Sequence, residues 1–183
     1  TAGHIDGALT FERSLGADYV EVPHSSSLNF TGKKVSLAAW VFLESAPPGS
    51  RQIVVGKPAN AAANTIPEFA YSLEINASRN VVFHIAKTGG AFVTAVSAAA
   101  LPIGLPWHHI AGVYNGSQLQ VYVDGLKSGL PVSNTNNLRS FITPLRIGVS
   151  GNTTLHGFDG MLDDVRVYGR ALSPTEVRRL SQM

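Results

Sequence analysis

Trp107-His108-His109-Ile110-Ala111-Gly112-Val113-Tyr114, a break at Asn115-Gly116, then Gln118-Leu119-Gln120-Val121-Tyr122-Val123 and a second break at Asp124-Gly125 decide the fold. Leu119, Val121 and Val123 alternate with Gln118, Gln120 and Tyr122, which is the period of a strand with one apolar face. Asn-Gly and Asp-Gly both accept the positive φ that tight hairpins demand. Residues 107–114, 117–123 and 126–130 therefore read as an antiparallel meander.

The same pattern extends outward in both directions. Upstream, 35–43 is apolar at almost every position and includes Trp40 and Phe42. A strand apolar on both faces is central and covered on both sides. Short strands are predicted at 8–12, 18–22, 52–56, 69–76, 80–86 and 91–96, punctuated by Pro47-Pro48-Gly49, Ser78-Arg79-Asn80 and Gly89-Gly90. Strands at 145–149 and 161–168 complete the series. About a dozen short strands with regular turn signals mean an all-β, two-sheet antiparallel sandwich or jelly roll. One helix is predicted, at the C-terminal end, where Ser173-Pro174-Thr175-Glu176 spells a capping box with Pro at the first helical position. Long loops are expected at 59–67, 133–140 and 150–157, and function usually sits on such loops.

Composition narrows the function. The chain has 183 residues, 44% hydrophobic and 14% charged, so it can form one core without a metal or disulfide. It has no Cys, which excludes disulfides, thiolate nucleophiles and Cys-based zinc sites. Fourteen Lys plus Arg stand against twelve Asp plus Glu, and the densest basic cluster is Arg166, Arg170, Arg178 and Arg179. No basic stripe interleaved with aromatics occurs, which argues against a nucleic-acid partner. No apolar run reaches the ~20 residues that span a bilayer. Residues 1–6 lack the basic start and apolar run of a signal peptide.

Four blocks carry a family resemblance. They are Gly7-Ala8-Leu9-Thr10-Phe11 with Asp18-Tyr19-Val20-Glu21-Val22-Pro23; Ser36-Leu37-Ala38-Ala39-Trp40-Val41; the run from Trp107 through Gly125; and Phe158-Asp159-Gly160-Met161-Leu162-Asp163-Asp164-Val165-Arg166-Val167-Tyr168 with Arg170-Ala171-Leu172-Ser173. Together they resemble a laminin-G-like domain of the concanavalin A-like jelly-roll superfamily over almost the whole chain, read as a single domain over 1–183. The resemblance implies two packed antiparallel sheets, one of them concave. It implies a secreted or cell-surface module of a larger protein that binds a polysaccharide, a glycoconjugate or a neighbouring domain. It also implies a structural calcium near Asp163 in some members. Members often begin with an additional N-terminal strand bearing an aromatic and an acidic residue, and nothing before Gly7 resembles it.

The residues offer three kinds of chemistry. A glycosidase needs two carboxylates flanking the scissile bond, and Glu68 and Glu74, six apart, have no third acid between them. Tyr71, His84, Arg51 and Gln52 supply the residue types of a lyase without a recognisable motif. Catalysis is therefore not the leading reading. For metal, His108-His109 cannot chelate one ion from opposite strand faces, whereas Asp163 and Asp6 are candidate calcium ligands if the chain ends pair. For sugar, the polar positions left over from the apolar alternation are Glu74, His84, Gln120 and Tyr122, which are expected to line a groove on the concave sheet. Trp40 and Trp107 sit in apolar runs and are assigned to the core. The leading expectation is a non-catalytic glycan-binding module; the alternatives are a structural or adhesive docking domain and a divergent glycan-cleaving enzyme.

Overall fold

The computed structural model describes residues 2–13, 17–47, 49, 51–60, 68–104, 106–152 and 156–183. The strands are β1 (Leu9–Phe11), β2 (Val20–Val22), β3 (Val35–Leu43), β4 (Arg51–Pro58), β5 (Phe69–Asn76), β6 (Asn80–Ala86), β7 (Phe92–Ala100), β8 (His108–Tyr114), β9 (Gln118–Val123), β10 (Leu126–Ser133), β11 (Leu145–Ile147) and β12 (Gly160–Tyr168). They form two six-stranded sheets, ordered β1-β12-β3-β8-β9-β10 and β2-β11-β4-β5-β6-β7. All paired strands run antiparallel. One short helix, α1 (Pro174–Leu180), follows. The chain is thus the sandwich that its alternation predicts.

Packing follows the pleat. On β3, Val35, Leu37, Ala39, Val41 and Leu43 enter the core between the sheets, where they meet Leu73, Phe83 and Ile85 of the other sheet. Phe83 sits opposite Gly112 of β8, where an added Cβ would lie 2.3 Å from the Phe83 ring. Only glycine lets the sheets approach so closely at that point. The outward residues of β3 are covered too, as expected for a central strand. Ser36 donates to the Arg170 carbonyl (2.8 Å) and accepts from the Leu172 amide (3.0 Å). Ala38, Ala111, Val113 and Tyr122 form a second apolar cluster with Leu172, Val177 and Leu180, which seats α1 on the outer face of the first sheet. The capping box forms as read: Glu176 N–H donates to Ser173 Oγ (3.2 Å) and Ser173 N–H to Glu176 Oε2 (2.8 Å).

Three differences from the sequence reading have physical causes. First, β7 and β10 run past their expected ends. Gly129, at φ +76°, forms a bulge in β10, and Ser128 Oγ accepts the Ala98 amide (3.1 Å), so the two edge strands hold each other across the open side. Second, Trp40 is buried, but against the outer face of its sheet: the His4 ring stacks on it at 3.5 Å and His109 meets it edge-on at 5.4 Å. Trp107 is only half-buried, beside Phe42 and His4. Third, β1 pairs with β12, so the first sheet gains its edge from 9–11. Most of the expected 59–67 loop and part of the 150–157 loop lie outside the described residues.

Candidate functional site

The sequence-predicted binding residues divide between the two sheets. Glu74 on β5 and His84 on β6 share the outer face of the second sheet. Gln120 and Tyr122 lie on β9 of the first sheet, so the four cannot line one groove. The Gln120 amide is buried and donates to the carbonyls of Ser128 (3.3 Å) and Gly129 (3.2 Å), tying down the bulge. Tyr122 packs under α1. Alternation tells which face of a strand is left over; it does not tell which sheet the strand joins.

Around Glu74 the second sheet assembles a polar network. Glu74 Oε1 accepts from Ser72 Oγ (2.8 Å) and lies 3.1 Å from His84 Nε2. Its Oε2 forms an ion pair with Arg51 Nε at 3.2 Å, and the Arg51 Nη2 also pairs with Glu68. His84 Nδ1 meets Thr94 Oγ1 of β7 at 2.7 Å. A neutral imidazole satisfies this arrangement, with Nε2–H donating to Glu74 and the Thr94 hydroxyl donating to Nδ1. The energetics agree. Burial, reinforced by the Arg51 charge, lowers the His84 pKa to about 4. Burial raises the Glu74 pKa to about 7, against the opposing pull of Arg51 and the Ser72 hydrogen bond and with a further push from Glu68. His156, near Arg51, is also lowered by burial.

Beside this network the Phe92 ring stands 39% exposed, its centroid 5.8 Å from that of His84. Arg51, Glu68, Phe69, Glu74, His84 and Phe92 enclose a shallow pocket of about 30 Å³. That volume suits a water rather than a sugar ring. So Glu68 and Glu74 do converge, contrary to their unpromising spacing, but on Arg51 rather than across a cleft. The lyase set does not assemble: Tyr71 faces the core and donates to the Leu28 carbonyl (2.8 Å). Phe92 and Thr94 were legible in principle, because a hairpin at Gly89-Gly90 places them beside His84. Glu68 entered the sequence reading only as a carboxylate six residues from Glu74, and that spacing gives no sign that the two meet on Arg51.

The calcium expectation meets an unsuitable donor set. Asp163 Oδ2 accepts the amides of His4 and Ile5, both at 2.9 Å, and Oδ1 accepts the Asp164 amide at 2.7 Å. These N–H dipoles point their positive ends at the carboxylate, where a cation would have to sit. Asp6 is exposed, and its carbonyl accepts the Gly3 amide at 3.1 Å. Among the described residues no group of three or more His, Cys, Asp or Glu is placed to hold a metal. Asp163 instead clasps 2–7 over Trp40, and a Cβ at Gly3 would lie 2.5 Å from its Oδ2. Asp163→Ala is expected to lower stability by about 1.5–3 kcal/mol, the range for hydrogen bonds to a charged group. Calcium is expected to leave the melting temperature unchanged. A calcium-dependent rise that Asp163→Ala abolishes would restore the metal reading.

The basic cluster also separates. Arg166 pairs with Asp164 at 2.7 Å and Arg170 with Glu176 at 2.7 Å, whereas Arg178 and Arg179 form no ion pair among the described residues.

The comparisons with known proteins agree with this architecture. The sequence pattern of the Laminin_G_3 family, in the concanavalin A-like lectin/glucanases superfamily, matches residues 14–178, and the chain belongs to that family. No curated protein matches it significantly. Domain 4 of AbnA, a GH43 extracellular arabinanase from Geobacillus stearothermophilus solved with arabinotriose, superposes with TM-score 0.70 at 18% identity, over 100% of this chain and 80% of that one. The binding domain of Paraclostridial Mosquitocidal Protein 1 superposes with TM-score 0.74 at 17% identity, over 99% of this chain and 44% of that one. A heptameric SAP-like pentraxin from Limulus polyphemus gives 0.63 at 13% identity, over 94% and 80%. At these identities the likeness concerns the fold. Among the described residues no helix is long and apolar enough to cross a membrane.

Proposed function

We propose that this chain is a non-catalytic module, part of a larger extracellular or cell-surface protein, that binds a polysaccharide or glycoconjugate on the outer face of its second sheet. The observation that carries the reading is the exposed Phe92 ring set against the partly exposed edges of Arg51 and His84, with Glu74 and Thr94 fixing both behind it. An aromatic face takes the C–H side of a sugar ring, and a few oriented polar groups take its hydroxyls. Glu74 and His84 keep a place in this site, Glu74 as a support; Gln120 and Tyr122 do not. The arabinanase domain with its bound arabinotriose supports the ligand class.

The shared Arg51 and the water-sized pocket argue for binding without cleavage. A glycosidase keeps its carboxylates about 5–9.5 Å apart across a bound sugar. The test is a glycan array probed with the wild-type chain and with Phe92→Ala, followed by reducing-sugar assays on every hit. Binding without sugar release is expected, with Phe92→Ala at least tenfold weaker, about 1.4 kcal/mol, and an unchanged melting temperature. Full affinity in a folded Phe92→Ala would remove the site, and sugar release would return Glu68 and Glu74 to catalysis.

A further inference from the structure

A second recess lies on the opposite sheet, and the function above does not use it. The hairpin joining β9 to β10 turns at Asp124 (φ +49°) and Gly125 (φ +77°). Its tip touches the last turn of α1: a Cβ at Gly125 would lie 2.3 Å from Ser181 Oγ and 3.1 Å from Arg178 Cα. Beside that contact the hairpin and helix diverge and leave a groove of about 390 Å³, within the ~300–1,000 Å³ usual for ligand sites. Tyr122, Leu126, Lys127, Pro174, Thr175 and Arg178 line it.

The groove carries positive charge that no ion pair among the described residues answers. Lys127 and Arg178 are exposed and form no ion pair among the described residues. The acids nearest to them in sequence, Asp124 and Glu176, are engaged elsewhere. Asp124 accepts from the His109 amide (3.0 Å) and pairs with His108 (2.8 Å), and Glu176 pairs with Arg170 (2.7 Å) and caps the helix. Tyr122 is 4% exposed yet borders the groove, and its hydroxyl has no partner among the described residues. Burial raises its pKa, so it stays a neutral donor. Leu126, 64% exposed, and Pro174 add apolar walls.

We propose that this groove binds a uronate, a sugar ring carrying a carboxylate. The carboxylate pairs with Lys127 and Arg178. The ring packs against Leu126 and Pro174, and its hydroxyls meet Tyr122 and Thr175. The groove is independent of the Phe92 face, so either site can fail without the other.

Trigalacturonate, titrated by calorimetry at low salt into the full chain, tests this. Binding is expected to weaken at least tenfold in Lys127→Ala and in Arg178→Ala. It should weaken about threefold in Tyr122→Phe, which removes only the hydroxyl, and stay unchanged in Lys33→Ala, an exposed lysine outside the groove. Inorganic sulfate, a neutral trisaccharide and polyglutamate serve as controls, and each is expected to bind at least tenfold more weakly. No binding of trigalacturonate, binding indifferent to the three groove variants in folded protein, or polyglutamate or sulfate binding as tightly would overturn the proposal. The last two outcomes would mark a charge effect without sugar recognition.

Discussion

Phe83→Ala will cost about 3–5 kcal/mol, the cost of removing a fully buried aromatic ring. Phe83 is 0% exposed and fills the space opposite Gly112 at the centre of the sandwich. Native domains hold only ~5–15 kcal/mol in total, so the variant will melt far below wild type or fail to fold. The partner substitution makes the reading sharper. Gly112→Ala pushes a methyl group into the Phe83 ring and should cost about 1–3 kcal/mol by overpacking. In Gly112→Ala with Phe83→Leu the smaller side chain makes room for the methyl, so the pair should be less destabilised than the two single losses added. Chemical denaturation of the four proteins gives the cycle directly. Strict additivity would mean that these residues do not meet across the sheets.

The second large effect is hidden in the wild type. Glu74 holds its proton more tightly in the folded chain, with a pKa of about 7 against an ordinary 4.5. Its contribution is full below pH 4.5 and is lost as the pH rises toward 7. His84 behaves oppositely: its folded pKa is about 4 against an ordinary 6.5, so its contribution is present above pH 6.5 and is lost as the pH falls toward 4. Between pH 4.5 and 6.5 the two slopes cancel. Removing either residue exposes the other. Relative to wild type, His84→Gln should lose on the order of 3 kcal/mol as the pH rises from 4 to 6.5. Glu74→Gln should gain a similar amount, on the order of 3 kcal/mol, from pH 4.5 to 7. Arg51, Glu68 and His156 face the same network, and reading each variant against wild type removes their common background. Difference profiles of the same sign would show that the network is not built as described.

The strands were readable because their chemistry is local. Leu119-Gln120-Val121-Tyr122-Val123 alternates whatever the rest of the chain does, and Asp124-Gly125 takes the two positive φ values that its residue types suggest. The capping box at Ser173 and Glu176 is equally local. The site was only half readable because it depends on sheet order. Glu74 and His84 sit on hairpin neighbours, so sequence adjacency brings them together. Gln120 and Tyr122 look identical in pattern, yet the chain crosses to the other sheet before β8, and α1 then covers Tyr122. Arg51 meets Glu68 and Glu74 only after β4 and β5 pair, and neither periodicity nor spacing foretells that. Trp40 misled in a different way. An apolar run says that a residue is buried, and here His4 and the Asp163 clasp bury it from outside rather than from the core.

The measurement that bears most directly on the proposed function is a crystal structure of the chain with the strongest glycan-array hit. The account predicts a sugar ring lying on Phe92, with hydroxyls within hydrogen-bond distance of Arg51 or His84 and with Glu68 and Glu74 still paired to Arg51. A neutral glycan bound anywhere else on the molecule, with the Phe92 face bare, would contradict it.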